Sequence, residues 1–573
     1  MQDFVPSKYQ QEIFDFVAEG IGNAVVNAKA GSGKTTTAVR ALEFIPKDKK
    51  VLFIAFNKDI VNEIKKRIGT AKNIKVTTFH ALGYAMLMEN LAGNVENIKY
   101  KYTPYIIKNI SNLSYGYSEM FTNPAERDNY IRTIEKLSEL ARYNLAQSPE
   151  EISAIADKHG LSTEGDVVRI VKDVLEWGKT EVNKIDFTDM EWLPCELCMN
   201  TKRLKYDWIF IDEAQDASPV QQKLVEKCFK RNTRFVAIGD RNQSINGWAG
   251  ADTEAFEKFQ AKPNTQSFDL PVSFRCSKAV VEEAQEFVPD LQYRDGAPEG
   301  HVYHDVSPNY PKNGDMVLCR NTVPLTRLYM EYLDMGKKAY IRGNDIGEEL
   351  IKKVESTKSP VLNVSLLSEG VMSSLWLGVL KTLSTIMKKH GLDISHAVET
   401  DEFTNAYTSV KTIEILSRGL TRADDLKKRI ANIFKNDGDG VCLSTVHKAK
   451  GLEAEDVYIL CPSLMPSPKA RLPWEMEAER NIQYVAVTRA KMNLYYIDEK
   501  KFSPEMGYAS NSSILTNINT INAQIRALYK KDFLAGSGIT EHIQNAIAPP
   551  TKRVSKDMQP KKIGANKFKN FMK

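Results

Sequence analysis

Near the N-terminus, Ala28-Lys29-Ala30-Gly31-Ser32-Gly33-Lys34-Thr35 sets small residues and glycines ahead of a lysine and a hydroxyl. Glycines let a backbone curl until several N–H groups face one anion. A lysine at the end of such a loop reaches the outer phosphates of a nucleoside triphosphate, and the threonine after it can ligate Mg²⁺. Ala28 stands where the general pattern has glycine, but the GSGKT core is complete. A second cluster, Asp212-Glu213, closes the apolar run Ile209-Phe210-Ile211. At the end of a buried strand, Asp212 suits a metal site and Glu213 suits a general base for an attacking water. Acidic residues also close strands for purely structural reasons. Beside a phosphate loop in the same chain, the pair points to hydrolysis of a nucleoside triphosphate.

These residues need strands and helices to hold them. Asn23–Ala28 is a short apolar run that ends in the glycine loop, and a helix follows it. Val51–Phe56, Lys75–Phe79, Trp208–Ile211 and Arg234–Ile238 have the same character, with helical stretches such as Asp59–Ile68 between them. Apolar runs spaced by helices predict a parallel sheet covered on both faces. From about 92 to 190 the sequence is polar, tyrosine-rich and helical, with no strand run. A second set of runs, Met316–Cys319, Val441–Ser444, Val457–Leu460 and Leu494–Ile497, predicts a second sheet. The expected fold is α/β, with two lobes built on parallel sheets, each carrying a mainly helical insertion. The first lobe takes 1–91 and 191–279, with its insertion at 92–190. The second takes 280–344 and 440–530, with its insertion at 345–439. The stretch 531–573 is expected to be a flexible basic tail, Pro- and Lys-rich from about Ala548.

Composition narrows the class. A chain of 573 residues is too long for one core. Its 42% apolar and 26% charged residues suit a globular protein. No apolar run is long enough to span a bilayer, and Met1-Gln2-Asp3-Phe4 does not open like a signal peptide. The expectation is a cytoplasmic or nucleoid-associated protein with no membrane partner. The net charge of +5 is only mildly basic and says little about polyanions. Seven scattered cysteines do not make a disulfide framework, and Cys195 and Cys198 lack a second pair to complete a zinc site.

Taken together, AGSGKT and DEAQD resemble the UvrD/Rep/PcrA family of superfamily 1 helicases. The resemblance runs from Gln10 to Lys491 in the family's order. It implies two RecA-like lobes, ATP and Mg²⁺ as cofactors, and 3′-to-5′ movement along single-stranded DNA with separation of duplex DNA. It also implies partners among replication, repair or recombination proteins. Pro6–Gln10 is similar to the Q motif, so Gln10 would read the adenine edge, with Gln11 as a one-residue alternative. The loop residues Ala30, Gly31, Ser32, Gly33, Lys34, Thr35 and Thr36 would cradle the phosphates, and Thr35 and Asp212 would hold the metal. Ala55–Lys58 and Thr77–Leu82 resemble the DNA-contacting motifs of the first lobe, which offers Phe56, Asn57, Thr78, Phe79 and His80. Phe79 is as readily a core residue by its position beside a strand. Gly239–Ile245 resembles motif III, where Gln243 would sense the γ-phosphate and Trp248 would stack on a base. In that motif Asn246 replaces an aromatic and Ala249 an arginine. Leu270–Arg275 resembles motif IV, with Phe274 packing on adenine and Arg275 as an arginine finger. Ser444–Glu453 resembles motif V, with His447 toward DNA and Glu453 toward the nucleotide. Tyr484–Ala490 resembles motif VI, with Arg489 as the second finger. The second insertion, about ninety-five residues, is short for the family. Competing readings are a translocase that displaces proteins and unwinds poorly, a P-loop phosphotransferase, and a helicase–nuclease fusion.

Overall fold

The computed structural model describes residues 4–537 apart from 70, 92–94, 112–123, 200, 248–249, 251, 253, 364–365, 367, 468–469, 503–510 and 536. The first sheet is built from β1 (Asn23–Ala28), β2 (Val51–Ile54), β3 (Ile74–Thr77), β4 (Tyr206–Ile211), β5 (Phe229–Gly239) and β6 (Thr265–Leu270). Their order is β3-β2-β4-β5-β1-β6, and every pairing is parallel. The central strands are apolar on both faces because helices cover both: β2 is buried at all four positions. β5 lies between β1 and β4, so Gly239-Asp240 emerges between the phosphate loop and Asp212.

The second sheet contains β7 (His301–Val306), β8 (Met316–Cys319), β9 (Ala339–Arg342), β10 (Phe434–Lys435), β11 (Val441–Thr445), β12 (Ala454–Ile459) and β13 (Ala490–Ile497). Its order is β7-β13-β12-β8-β11-β9-β10, again parallel throughout. The architecture is that of two RecA-like α/β lobes. The chain passes between them at residues 271–277, where Phe274 N–H donates to Gly31 O and Ser277 N–H donates to Lys491 O.

Between β3 and β4 lie the helices Phe79–Asn90, Thr103–Ser111, Pro124–Asn144, Pro149–Lys158, Val167–Thr180 and Asp189–Glu196. Two two-residue strands, Glu96–Asn97 and Lys184–Ile185, also pair here, in a stretch where the sequence shows no strand run. Two residues carry too little periodicity to be read. The base of this region is fastened by Asp189, which is fully buried. Its carboxylate accepts from Lys101 Nζ, Tyr102 Oη and Arg142 Nη1, each at 2.7 Å. Ionised groups tolerate burial only when paired and hydrogen-bonded in this way.

The second insertion is less separate than its sequence suggests. β10 falls inside the stretch 345–439 and completes the sheet edge through Ile341 and Phe434. Trp376 and Phe403 from the insertion share one core with Val317 and Leu443 of the sheet and with Ile518 and Ile525 of the helix Asn511–Tyr529. Leu534 is buried in that core too, so packed chain continues past residue 531. The remainder of the basic stretch, 538–573, lies outside the described residues.

Candidate nucleotide site and nucleic-acid surface

The glycine loop leads from β1 into the helix Lys34–Ala41. Gly31 (φ 71°) and Gly33 (φ 80°) occupy the left-handed region that side chains avoid. Space also demands glycine at 31, because a Cβ there would lie 2.6 Å from Arg275 Cβ and Ser273 Oγ. Ser32 is buried and its hydroxyl has no partner among the described residues. An orphaned hydroxyl at a helix N-terminus suits a phosphate oxygen. Ala30 differs from its expected role, because its N–H donates to Tyr484 Oη at 2.9 Å and is not offered to a phosphate. Thr35 and Thr36 follow on the first helical turn, and Thr36 Oγ1 accepts from Arg67 Nη1 at 3.2 Å.

Gln10 and Gln11 point in different directions. Gln10 is buried against the loop helix and donates from Nε2 to Thr37 Oγ1 at 2.9 Å. Its Oε1 accepts from Ser7 N–H at 3.0 Å in a capping box. Gln11 instead donates to Asp15 on the exposed face of the same helix, at 2.7 Å.

β4 delivers Asp212, 2% exposed, and Glu213. Glu213 takes φ 53°, ψ 42°, a strained conformation for a residue with a side chain. Its carboxylate accepts from Lys34 Nζ at 3.0 and 3.1 Å and from Gln215 Nε2 at 2.5 Å. Burial opposes ionisation of Glu213, but Lys34 and Lys450 hold its pKa below the usual range. Asp212 shifts the other way, raised by burial and then by the Glu213 charge. Burial likewise disfavours the Lys34 ammonium, yet Glu213, Asp240 and Asp212 keep its pKa raised. The Asp212 carboxylate and the Thr35 hydroxyl are hard oxygen donors, as Mg²⁺ requires. Among the described residues no group of three or more His, Cys, Asp or Glu side chains could enclose a metal alone. A metal here would therefore complete its shell with water and phosphate oxygens, the ordinary Mg²⁺ arrangement.

The second lobe reaches into this cluster through the helix Pro473–Val487 and the residues after it. Arg489 is buried, with Nη2 3.4 Å from Gln243 Oε1 and Nε on Val485 O at 3.0 Å. Burial and Arg275 lower its pKa to about 10, which leaves it charged near neutrality. Gln243 Nε2 donates to Asp240 Oδ2 at 2.8 Å, and Tyr484 Oη donates to the same oxygen at 3.3 Å. Arg275 donates to Glu453 Oε2 at 2.6 Å and to Thr488 O at 3.2 Å, and Lys491 also pairs with Glu453. Phe274 is exposed beside the loop. Tyr484 and Lys450 join the site without a role assigned from the sequence. Lys450 pairs with Asp216 and donates to Gln243 O at 2.8 Å, so it spans the cleft between lobes. Both lie inside motif strings, which was the only signal for them.

The residues expected to meet DNA are built differently. Phe56 is 47% exposed, just before the helix Lys58–Ile68, whose N-cap is Asn57 (Oδ1 to Ile60 N, 2.9 Å). Thr78 caps the helix Phe79–Asn90 by accepting from Ala81 N at 3.2 Å. Phe79 corrects the expectation: it is 4% exposed and packs in the first lobe's core with Leu82 and Met86, so it has no face to offer a base. His80 stacks on Phe187 with ring centroids 3.6 Å apart, and its Nδ1 lies 3.0 Å from Glu191 Oε1. Phe187 is 58% exposed and was not singled out by sequence, because only the fold brings the end of the insertion to His80. His447 is half-buried, and burial with Arg320, Lys450 and Lys448 nearby pushes its pKa down to about 3. It is neutral at ordinary pH. Trp248 lies outside the described residues.

Comparison with known proteins agrees with this geometry. The model of the UvrD/REP helicase N-terminal domain matches residues 9–264, and that of the UvrD-like helicase C-terminal domain matches residues 440–497. The chain is 22% identical to the ATP-dependent DNA helicase Rep of Buchnera aphidicola (subsp. Acyrthosiphon pisum), over 83% of this chain and 92% of that protein. It is 21% identical to a probable DNA helicase II homolog of Mycoplasma pneumoniae, over 92% of this chain and 89% of that one. With the F-box DNA helicase protein 1 of Schizosaccharomyces pombe it shares 25% identity over 82% of this chain and 55% of the relative. Two domain models of one family, matched in order on the two lobes that meet at the phosphate loop, show that the chain belongs to the UvrD/REP helicase family.

Proposed function

We propose that the protein is an ATP-driven motor that moves 3′-to-5′ along single-stranded DNA and separates duplex DNA. The observation that carries the reading is the meeting of both lobes at one cluster: Arg489 on Gln243, Tyr484 on Ala30 and Asp240, and Lys450 on Asp216. Residues from the second lobe are thereby in place to sense what the first lobe binds.

In this reading Lys34 leaves Glu213 for the outer phosphates of ATP, which frees the Glu213 carboxylate to accept a proton from the attacking water. Arg275, now on Glu453, and Arg489, now beside Gln243, neutralise charge on the transferring phosphoryl group. Mg²⁺ held by Thr35 and Asp212 supplies further charge neutralisation when bound. Because the arginines are anchored to the second lobe, their contact with phosphate favours a closed cleft, and loss of phosphate favours an open one. Phe56, Asn57, Thr78, His80, Phe187 and His447 grip the strand, and alternating closure shifts one grip relative to the other. Stacking tolerates any base, as a motor requires.

The test is ATP turnover with and without single-stranded DNA, followed by strand separation on duplexes with 3′ or 5′ single-stranded tails. DNA-stimulated turnover with unwinding from the 3′ tail supports the reading. Turnover indifferent to DNA sends the site back to the phosphotransferase reading. Stimulation without strand separation selects the protein-displacing translocase, a reading the short second insertion keeps in view.

A further inference from the structure

Beside the His80–Phe187 stack, a groove of about 650 Å³ opens between the segment 97–103 and the helix Pro124–Asn144. Five cationic side chains line it against three acidic ones, so its balance is positive. The acids are engaged: Glu135 accepts from Thr103, Glu139 pairs with Lys136, and Asp186 pairs with Arg142. Lys101 and Arg142 are also committed, to the buried Asp189. They form a rigid floor. The rim is different. Lys99 and Arg132 are exposed, and the rings of Tyr100 (59% exposed) and Phe187 stand at the mouth. Within the groove, the Ser138 hydroxyl is buried with no partner among the described residues.

Exposed aromatic rings interleaved with cations, above a satisfied floor, are the recipe for holding a nucleic-acid strand without reading its sequence. The volume lies in the range that takes a ligand of nucleotide size. Phe187 links the two places, because one ring serves both the His80 stack and the groove. We infer that single-stranded DNA continues past His80 into this groove, where a nucleotide stacks on Tyr100 and its backbone phosphates meet Lys99 and Arg132. The inference rests on the DNA-motor reading and extends the track from the first lobe into its insertion. Ser138 Oγ supplies a hydrogen bond to the inserted nucleotide.

The test uses the full chain, fluorescein-labelled oligothymidylates of graded length, and the variants Tyr100→Ala and Arg132→Ala. Both side chains are exposed, and a thermal melt matched to wild type checks folding. For wild type, affinity rises with length until the groove is filled. Each variant should match wild type on the shortest oligonucleotides and lose about five- to a hundred-fold on longer ones for Tyr100→Ala. Arg132→Ala should reduce the slope of log affinity against log salt by about one, again only on long oligonucleotides. ATP turnover stimulated by short oligonucleotides should be unchanged. Variants that match wild type at every length overturn the groove, and so does an equal loss at every length. Wild-type protein that binds no oligonucleotide overturns the motor reading and the groove with it. Failure of the groove alone is told apart by surviving short-oligonucleotide binding.

Discussion

At the nucleotide end of the first lobe, Lys34, Glu213, Gln215, Asp240 and Gln243 hold one another through hydrogen bonds of 2.5 to 3.1 Å. On the side assigned to DNA, Phe56 and Phe187 stand open to solvent, and Asn57 and Thr78 each make one capping bond. The difference follows from what each surface must recognise. Phosphoryl transfer needs charges fixed before the reaction begins, and burial strengthens every one of them. A moving strand needs grips that accept any base and let go, and solvent-exposed rings provide that. The preorganised side carries steep penalties for change, and the open side carries shallow ones.

The steepest penalty should fall on the arginines. Arg275→Ala and Arg489→Ala should each lower DNA-stimulated kcat by about a thousandfold or more, measured by steady-state ATP turnover. A loss of tenfold or less in both would mean that the second lobe only packs against the site. Glu213→Gln comes next, with a loss on the order of 10²- to 10⁴-fold in kcat and nucleotide binding retained. Lys450→Ala should leave Asp216 buried without its ion-pair partner, at a cost of about 3–5 kcal/mol in denaturant unfolding. The double variant Lys450→Met with Asp216→Leu should recover most of that stability while DNA stimulation stays impaired. If it does not recover, the pair is not the cause. On the open side, Phe187→Ala should cost about 1–3 kcal/mol of single-stranded DNA affinity without changing basal turnover. The smallest effect concerns pH. His447 has a folded pKa below its unfolded value, so the unfolded chain gains a proton first as pH falls below about 6.5. The stability associated with neutral His447 is present above that pH and is lost toward pH 3. The melting temperature of His447→Gln should therefore gain on wild type between pH 8 and pH 5. A constant gap would show that His447 is hydrated like a free imidazole.

How far the sequence could be read depended on whether the cause was local. The phosphate loop, Asp212-Glu213 and the buried strands β1, β2 and β4 were legible, because chemistry and two-sided burial force contiguous strings. The edge strands β6 and β7 were not. TQSFDL and HVYHDV are largely solvent-facing, and nothing in them is apolar enough to mark a strand. Phe79 shows the limit of motif position as a guide: it belongs to the DNA-contacting string, but the helix it starts turns its ring into the core. Phe187 is the reverse case, a surface aromatic in an unremarkable string that chain folding carries to His80. The partners of Ala30 and Gln243 lie 454 and 246 residues away in Tyr484 and Arg489, and no local pattern announces such distances.

The buried Lys450–Asp216 pair that spans the cleft has a thermodynamic consequence. Burial raises the pKa of Asp216 and Lys450 only partly offsets it, and Asp216 Oδ1 has no partner of its own among the described residues. Such a pair returns in Coulomb attraction little more than it loses in hydration. When the lobes part, water rehydrates both charges and refunds nearly the whole loss. The contact therefore dictates where the lobes meet but hardly how long they stay together. Its geometry works like a dowel that aligns two plates without glue, leaving the dwell time of each step to whatever occupies the phosphate loop.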